Sequence, residues 1–133
     1  MPPDASPGTP LDWVRHAQSD LAVAARPRDS IILCETLCYH AQQAVEKSMK
    51  GVLLHHGVEF PYTHNISRLI TVVQEAGIPW PGELDEAAEL TEYAVQLRYP
   101  GMSRRVTEED LDRAVAVAER VLAWAEDRIS HPA

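Results

Sequence analysis

The sequence predicts an all-α protein, an up-and-down bundle of four or five helices. Apolar residues recur at intervals of three and four positions in five separate stretches, which is the period of one helix face. No stretch alternates between apolar and polar residues, as a half-buried strand would. Proline and glycine interrupt the pattern between the stretches, so short connections are expected. A chain of 133 residues suits one domain with one core.

The first two predicted helices are separated by a turn at a proline. Helix one covers Leu11 to Ala25, with Thr9 or Asp12 as its N-cap. Helix two is longer, from about Ser30 to His56, and Gly57 is expected to end it. Its buried stripe is expected to comprise Leu33, Leu37, Ala41, Ala44, Ser48 and Val52, widened by Cys34, Cys38, Val45 and Met49.

A loop at residues 58–64 leads to the third predicted helix. This helix begins near Ile66, with Thr63 or Asn65 as its cap, and ends at Gly77. The sequence GIPWPG separates it from a fourth helix. The inner face of that helix is expected to be Leu84, Ala87, Ala88, Thr91, Ala94 and Val95.

A fifth helix begins after the sequence RYPG. Thr107 and Asp110 are spaced like a capping box at its start. Helices two and five are the longest, so they are expected to form the central pair of the bundle. Small residues on both would permit close packing: Ala41, Ala44, Ser48 and Gly51 on one helix, and Ala114, Ala118 and Ala125 on the other.

The composition restricts the ligands and the location to be expected. A formal net charge of -8 disfavours general binding to nucleic acid or to an anionic membrane. A short basic cluster of Arg98, Arg104 and Arg105, with no acid between them, is the local exception. Residues 1–10, with four prolines, are predicted to be a flexible arm, followed by a single domain at 11–130. Because no long apolar run is present, we expect a cytoplasmic protein without membrane contact.

Several polar side chains follow one side of the second predicted helix. His40, Gln43, Lys47 and Lys50 are spaced by three, four and three residues, and Glu46 lies beside them. One interpretation is a solvent-exposed charged face, on which Glu46 and Lys50 form a weak surface pair. The other interpretation is a binding surface.

The sequence contains no pattern typical of a metal, cofactor or nucleophile site. His55, His56 and His64 lack a further ligand at a fixed spacing. Cys38 and His40 are two residues apart, and such positions do not face each other on a helix. We therefore expect no cofactor and no metal.

Residues 38–70, CYHAQQAVEKSMKGVLLHHGVEFPYTHNISRLI, resemble the long-helix signature of the HEPN domains, the higher eukaryotes and prokaryotes nucleotide-binding family. The order of the other motifs is also similar, with A..DL..A in the first helix, P.TH at the end of the loop and LRYP at the helix break. The resemblance covers residues 11–130. It implies a homodimer that often acts with a minimal nucleotidyltransferase as a toxin and antitoxin pair.

The resemblance also bears on catalysis. Many HEPN domains are metal-independent RNases whose motif is an Arg followed, after four to six intervening positions, by a His. Arg98 lies where this motif would begin, but no Arg of this chain precedes a His at that interval. The resemblance therefore implies a nucleotide-binding or regulatory domain that does not cut RNA.

The residues expected to form a polar binding groove come from three parts of the chain. They are His40, Lys47, Lys50, His64, Arg98, Tyr99, Arg104 and Arg105. Lys and Arg would hold a phosphate, while Tyr99 or His64 would stack on a base of a nucleotide or RNA. Two alternatives stay open: an RNase in which His64 or His40 is brought near Arg98 by folding, and a purely structural dimerisation domain.

Overall fold

The chain, represented by a computed structural model, is described for residues 7–96 and 105–130, without the side chain of Gln96. These residues contain five α-helices, one 3-10 helix and no β-strand, so the predicted all-α fold is confirmed. The elements are α1 Pro10–Ala24, α2 Cys34–His55, α3 Ile66–Glu75, a 3-10 helix Gly82–Leu90, α4 Thr91–Gln96 and α5 Glu108–Ser130.

Local signals in the sequence fix several helix ends. The Thr9 side chain accepts a hydrogen bond from the Asp12 amide at the start of α1, and Asn65 caps α3 in the same way. At the start of α5, the Asp110 carboxylate accepts a hydrogen bond from the Thr107 amide, and the Thr107 hydroxyl accepts one from the Asp110 amide, as in a capping box. Gly57 and Gly77 follow α2 and α3 with φ of 71° and 77°, a region that glycine adopts without strain.

Helix α2 begins at Cys34, four residues later than predicted. The Asp29 carboxylate accepts the Ile31 amide at 2.9 Å, a local turn that competes with helix formation. Arg28 bonds Asp112 of α5 at 2.8 Å and so holds the preceding loop against the bundle. Leu33 is consequently 58% exposed and does not belong to the buried stripe, which corrects its predicted position.

The predicted fourth helix is a 3-10 helix followed by the single short helix α4. The buried residues of the 3-10 helix, Leu84, Ala87 and Leu90, recur every three positions, because a 3-10 helix has three residues per turn. A prediction based on 3.6 residues per turn placed Val95 on the inner face, but Val95 is 57% exposed.

Helix α2 is the centre of the bundle. It contacts α5 as predicted, but it packs still more extensively against α1. A Cβ atom on Gly51 would lie 3.1 Å from the Cβ of Trp13 and 3.2 Å from the carbonyl oxygen of Pro10, so this glycine permits the approach of α1. No helix in the described parts of the chain is both long and apolar enough to cross a membrane.

Candidate functional site

The polar side of α2 faces α1 and the loop after α2. The side chains of Glu46 and Lys50 are only 5% and 9% exposed. The interpretation of this pair as surface decoration is therefore wrong, although the two side chains do bond each other. Burial of two charges requires close partners, since each loses its hydration.

The first group of partners, here called the Asp20 cluster, joins α1 to α2. Asp20 of α1 contacts His40 Nδ1 through Oδ1 at 2.9 Å and accepts a hydrogen bond from Lys47 Nζ through Oδ2 at 2.6 Å. His40 and Lys47 are seven residues apart, which is about two helical turns, so both lie on the side of α2 that meets α1. The three side chains are 13–31% exposed, so the cluster is partly accessible to solvent.

The second group, the Glu46 cluster, joins α2 to the loop before α3. Glu46 Oε2 accepts from Lys50 Nζ at 2.9 Å, while Oε1 contacts His64 Nδ1 at 2.8 Å and accepts from Gln42 Nε2 at 3.1 Å. Gln42 Nε2 also lies 3.2 Å from the backbone carbonyl of His64. Lys50 Nζ lies 5.5 Å from the ring centroid of Phe60, a cation–π contact from the same loop.

The ionisation of Glu46 follows from these partners. Burial opposes the charged form, but the hydrogen bonds from Lys50, His64 and Gln42 outweigh it, so the pKa of Glu46 is lowered from its ordinary value. Glu46 is a carboxylate at neutral pH and carries the negative charge that Lys50 requires.

The two clusters have the same arrangement of side chains. In each, a carboxylate binds the Nδ1 of an imidazole and the ammonium of a lysine. A carboxylate at Nδ1 fixes the ring and leaves Nε2 as the outer nitrogen. The charges of the two carboxylates and the two ammonium groups sum to zero. Lys47 and Lys50 are thus already neutralised and offer no surplus charge to a phosphate.

The other predicted site residues do not join these clusters in the described structure. Arg105 is exposed and lines a separate groove with Arg28, Leu33 and Glu108, near the start of α5. Arg98, Tyr99 and Arg104 lie outside the described residues. The structure therefore brings together His40 with Lys47, and Lys50 with His64, but not Arg105 with either pair.

Sequence reasoning missed Asp20 and Gln42 as members of the site. Asp20 follows the buried Ala17 by three residues and precedes the buried Ala24 by four, so it lies beside the buried face of α1. That position could have identified Asp20 from the sequence, since a carboxylate at the edge of a buried helix face needs a hydrogen-bonding or charged partner. Gln42 is completely buried, and it follows the buried Cys38 by four residues and precedes the buried Val45 by three, which marks it in the same way.

Metal-binding clusters and reactive thiols are two further kinds of site to consider in the described part of the chain. No group of three His, Cys, Asp or Glu side chains there is arranged to hold a metal ion. Both cysteines are free. Burial raises the pKa of Cys38 to about 12 despite a hydrogen bond with Tyr93, so its thiol is protonated and is not a nucleophile.

Comparison with known proteins agrees with this fold. The sequence model of the HEPN domain matches residues 11–128. A crystal structure of an archaeal HEPN homologue superposes with a TM-score of 0.72 at 28% sequence identity, covering 91% of this chain and 98% of the homologue. No curated protein sequence is significantly similar to the chain.

Proposed function

The chain belongs to the HEPN family, and from this premise we propose that it is a non-catalytic nucleotide-binding or regulatory domain. It acts as a homodimer with a minimal nucleotidyltransferase, in a system of the toxin–antitoxin type. The absence of any Arg followed by a His at the RNase interval supports the non-catalytic assignment. The location in the cell is proposed to be the cytoplasm.

The observation that carries the proposal is the pair of carboxylate-held imidazoles at His40 and His64. Their side chains are 31% and 59% exposed, so each ring can reach a ligand while its Nδ1 stays bound. An imidazole edge can hydrogen-bond a base, and its face can stack on one. RNA cleavage requires in addition a cation at the developing phosphorane charge, and Lys47 and Lys50 are both engaged by carboxylates.

The phosphate of the nucleotide is assigned to arginine side chains. Arg105 is exposed beside Arg28, and Arg98 and Arg104 are its neighbours in the sequence. Guanidinium groups bind phosphate oxygens in a two-pronged geometry, which suits this role. Tyr99 retains its proposed role as a stacking partner.

Calorimetric titration with ATP, GTP and a short single-stranded RNA tests the proposal. We expect saturable binding to the wild type and binding several-fold weaker in the double variant His40→Ala/His64→Ala. His56→Ala is the matched control, because His56 is an exposed imidazole without a carboxylate partner in the described structure. Circular dichroism verifies that each variant is folded. If the wild type binds none of the three ligands, the nucleotide-binding proposal fails.

A metal-independent RNase is the second candidate, favoured by one observation. Asp20 holds His40 through Nδ1, as the carboxylate of a catalytic triad holds its general base. Incubation of the pure protein with total RNA tests it, with His40→Ala and Arg98→Ala as comparisons. Cleavage by the wild type that both variants lose would favour the RNase. RNA that stays intact in all samples would exclude it.

Assembly is tested separately by light scattering. Ile31, Leu33 and Val95 are large apolar side chains that are more than half exposed, and a second copy of the chain could cover them. We expect a mass twice that of one 14.8 kDa chain. A monomer at all concentrations would contradict the homodimer. A dimer without any nucleotide binding would favour the purely structural dimerisation domain.

A further inference from the structure

A cavity of about 250 Å³ lies beside the Asp20 cluster, between the start of α1 and the middle of α2. Its walls are Gly8, Asp12, Trp13, His16 and Lys47. Lys47 belongs both to this cavity and to the Asp20 cluster, so the cavity adjoins the candidate site. It is smaller than the pockets of about 300–1,000 Å³ that hold drug-sized ligands, so it admits a single ring system.

Trp13 differs from the other two tryptophans of the chain. Trp80 Nε1 donates to Asp85 at 2.8 Å, and Trp124 Nε1 donates to the carbonyl of Pro79 at 3.0 Å. Trp13 Nε1 has no acceptor among the residues that the structure describes, although the ring is half-buried. Its ring is held against Phe60, with centroids 5.6 Å apart and planes at 79°. An indole held by Phe60 thus lines the cavity, and its N–H has no acceptor among the described residues.

The charges around the cavity are paired within the protein. Asp12 accepts from Arg15 at 2.8 Å and from the Gly8 amide at 3.0 Å. Lys47 donates to Asp20 at 2.6 Å, and His16 Nε2 lies 3.7 Å from Asp12 Oδ1. An ionic ligand would gain little here, because each charge already has a counter-ion. A neutral planar heterocycle with acceptor atoms at its edge fits better, since it can stack and can accept from Trp13.

We propose that this cavity binds the base of a nucleotide, with Trp13 as the stacking wall and Trp13 Nε1 as a donor to the edge of the base. The sugar and phosphate lie outside it. The identity of the heterocycle rests on the proposed nucleotide-binding function, whereas the cavity and its neutral character rest on the geometry alone. The base comes either from a free nucleoside or nucleotide, or from single-stranded RNA.

The three indole N–H resonances of the ¹⁵N-labelled full chain give the direct test. The protein is titrated in turn with each of the four common nucleosides, with a single-stranded RNA tetranucleotide and with ribose 5-phosphate. Trp13→Phe assigns the Trp13 resonance. We expect a saturable shift of the Trp13 indole with a nucleoside or the RNA, no shift with ribose 5-phosphate, and no shift of Trp80 or Trp124. Comparison of the nucleosides with the RNA distinguishes the two possible sources of the base.

Affinity measured by calorimetry gives a second readout. Loss of an aromatic stacking partner weakens binding by between about fivefold and about 150-fold, so Trp13→Ala is expected in that range. Trp13→Phe keeps an aromatic ring but lacks the N–H donor. Its affinity is expected to lie between that of the wild type and that of Trp13→Ala. It also provides a milder variant if Trp13→Ala does not fold. Trp124→Phe is the matched control with unchanged affinity.

The two proposals fail in different ways. If ATP, GTP or RNA binds while the Trp13 resonance is unmoved, or while Trp13→Phe binds as the wild type does, the cavity proposal is overturned and nucleotide binding stands. If ribose 5-phosphate moves the Trp13 indole as a nucleoside does, the base is not the group recognised there. If no nucleotide, nucleoside or RNA binds, both proposals fail together.

Discussion

Replacement of Glu46 by Gln should destabilise the protein by about 2–3 kcal/mol. The substitution keeps the shape of the side chain but removes the charge that balances Lys50, whose side chain is 9% exposed. Removal of one partner of a buried ion pair costs about 3–5 kcal/mol, because the other charge stays buried. The introduced amide still accepts a hydrogen bond, and the contact of Lys50 with Phe60, worth about 0.5–2 kcal/mol, persists. These two interactions reduce the expected loss.

Urea unfolding followed by far-UV circular dichroism at neutral pH measures this loss. With a slope of roughly 1–3 kcal/mol per molar urea, the midpoint of Glu46→Gln is expected to fall by roughly 0.7–3 M. The double variant Glu46→Gln/Lys50→Met should lose less than the sum of its single variants, because it leaves no unpaired buried charge.

Asp112→Asn is the control for the loss of a carboxylate as such. Asp112 bonds Arg28 in a pair whose two side chains are 74% and 38% exposed. Pairs of this kind contribute about 0–1 kcal/mol. If Glu46→Gln costs no more than Asp112→Asn, or if the double variant is simply additive, the argument that Glu46 balances the buried charge of Lys50 is refuted.

The other predictions concern pH, packing and thiol reactivity. The pKa of Glu46 is lowered from 4.5, so the stability it contributes is present above this pH and is lost as the pH falls through the folded value. The difference in urea midpoint between the wild type and Glu46→Gln should therefore shrink below about pH 4.5, and a constant difference would contradict the shift. Gly51→Val should cost about 1–3 kcal/mol in urea unfolding, because its Cβ lies 3.1 Å from the nearest side-chain atom of α1. Gly82→Val, which places its Cβ in open space, should cost less, and equal losses would contradict the argument from close packing. At pH 8 a disulfide reagent should modify the partly exposed Cys34 and spare Cys38, whose pKa is about 12, until the chain unfolds. Two rapidly reacting thiols would contradict this.

Much of the fold was predictable because its determinants are local in the sequence. Thr9, Asn65 and Thr107 cap helices through amides three residues away, and Gly57 ends α2 with a backbone conformation that its own residue type favours. The 3-10 helix was not predictable from helical periodicity, because a period of three resembles a period of 3.6 over nine residues.

The candidate site was predicted only in part, because its partners are distant in the sequence. Spacing on α2 identified His40, Lys47 and Lys50 and placed them on one side of the helix. Nothing in that spacing shows that Asp20, 27 residues before Lys47, neutralises the ammonium group. Charge balance in a bundle depends on which helices pack together, and that packing is a property of the tertiary structure.

Calorimetric titration with a short single-stranded RNA, followed by gel analysis of the recovered RNA, tests the central claim most directly. The account predicts saturable heat of binding to the wild type and RNA recovered at full length, since carboxylates engage Lys47 and Lys50 and no Arg precedes a His at the RNase interval. Binding accompanied by RNA fragments that His40→Ala does not produce would contradict the non-catalytic assignment. No heat of binding with RNA, ATP or GTP would contradict nucleotide recognition itself.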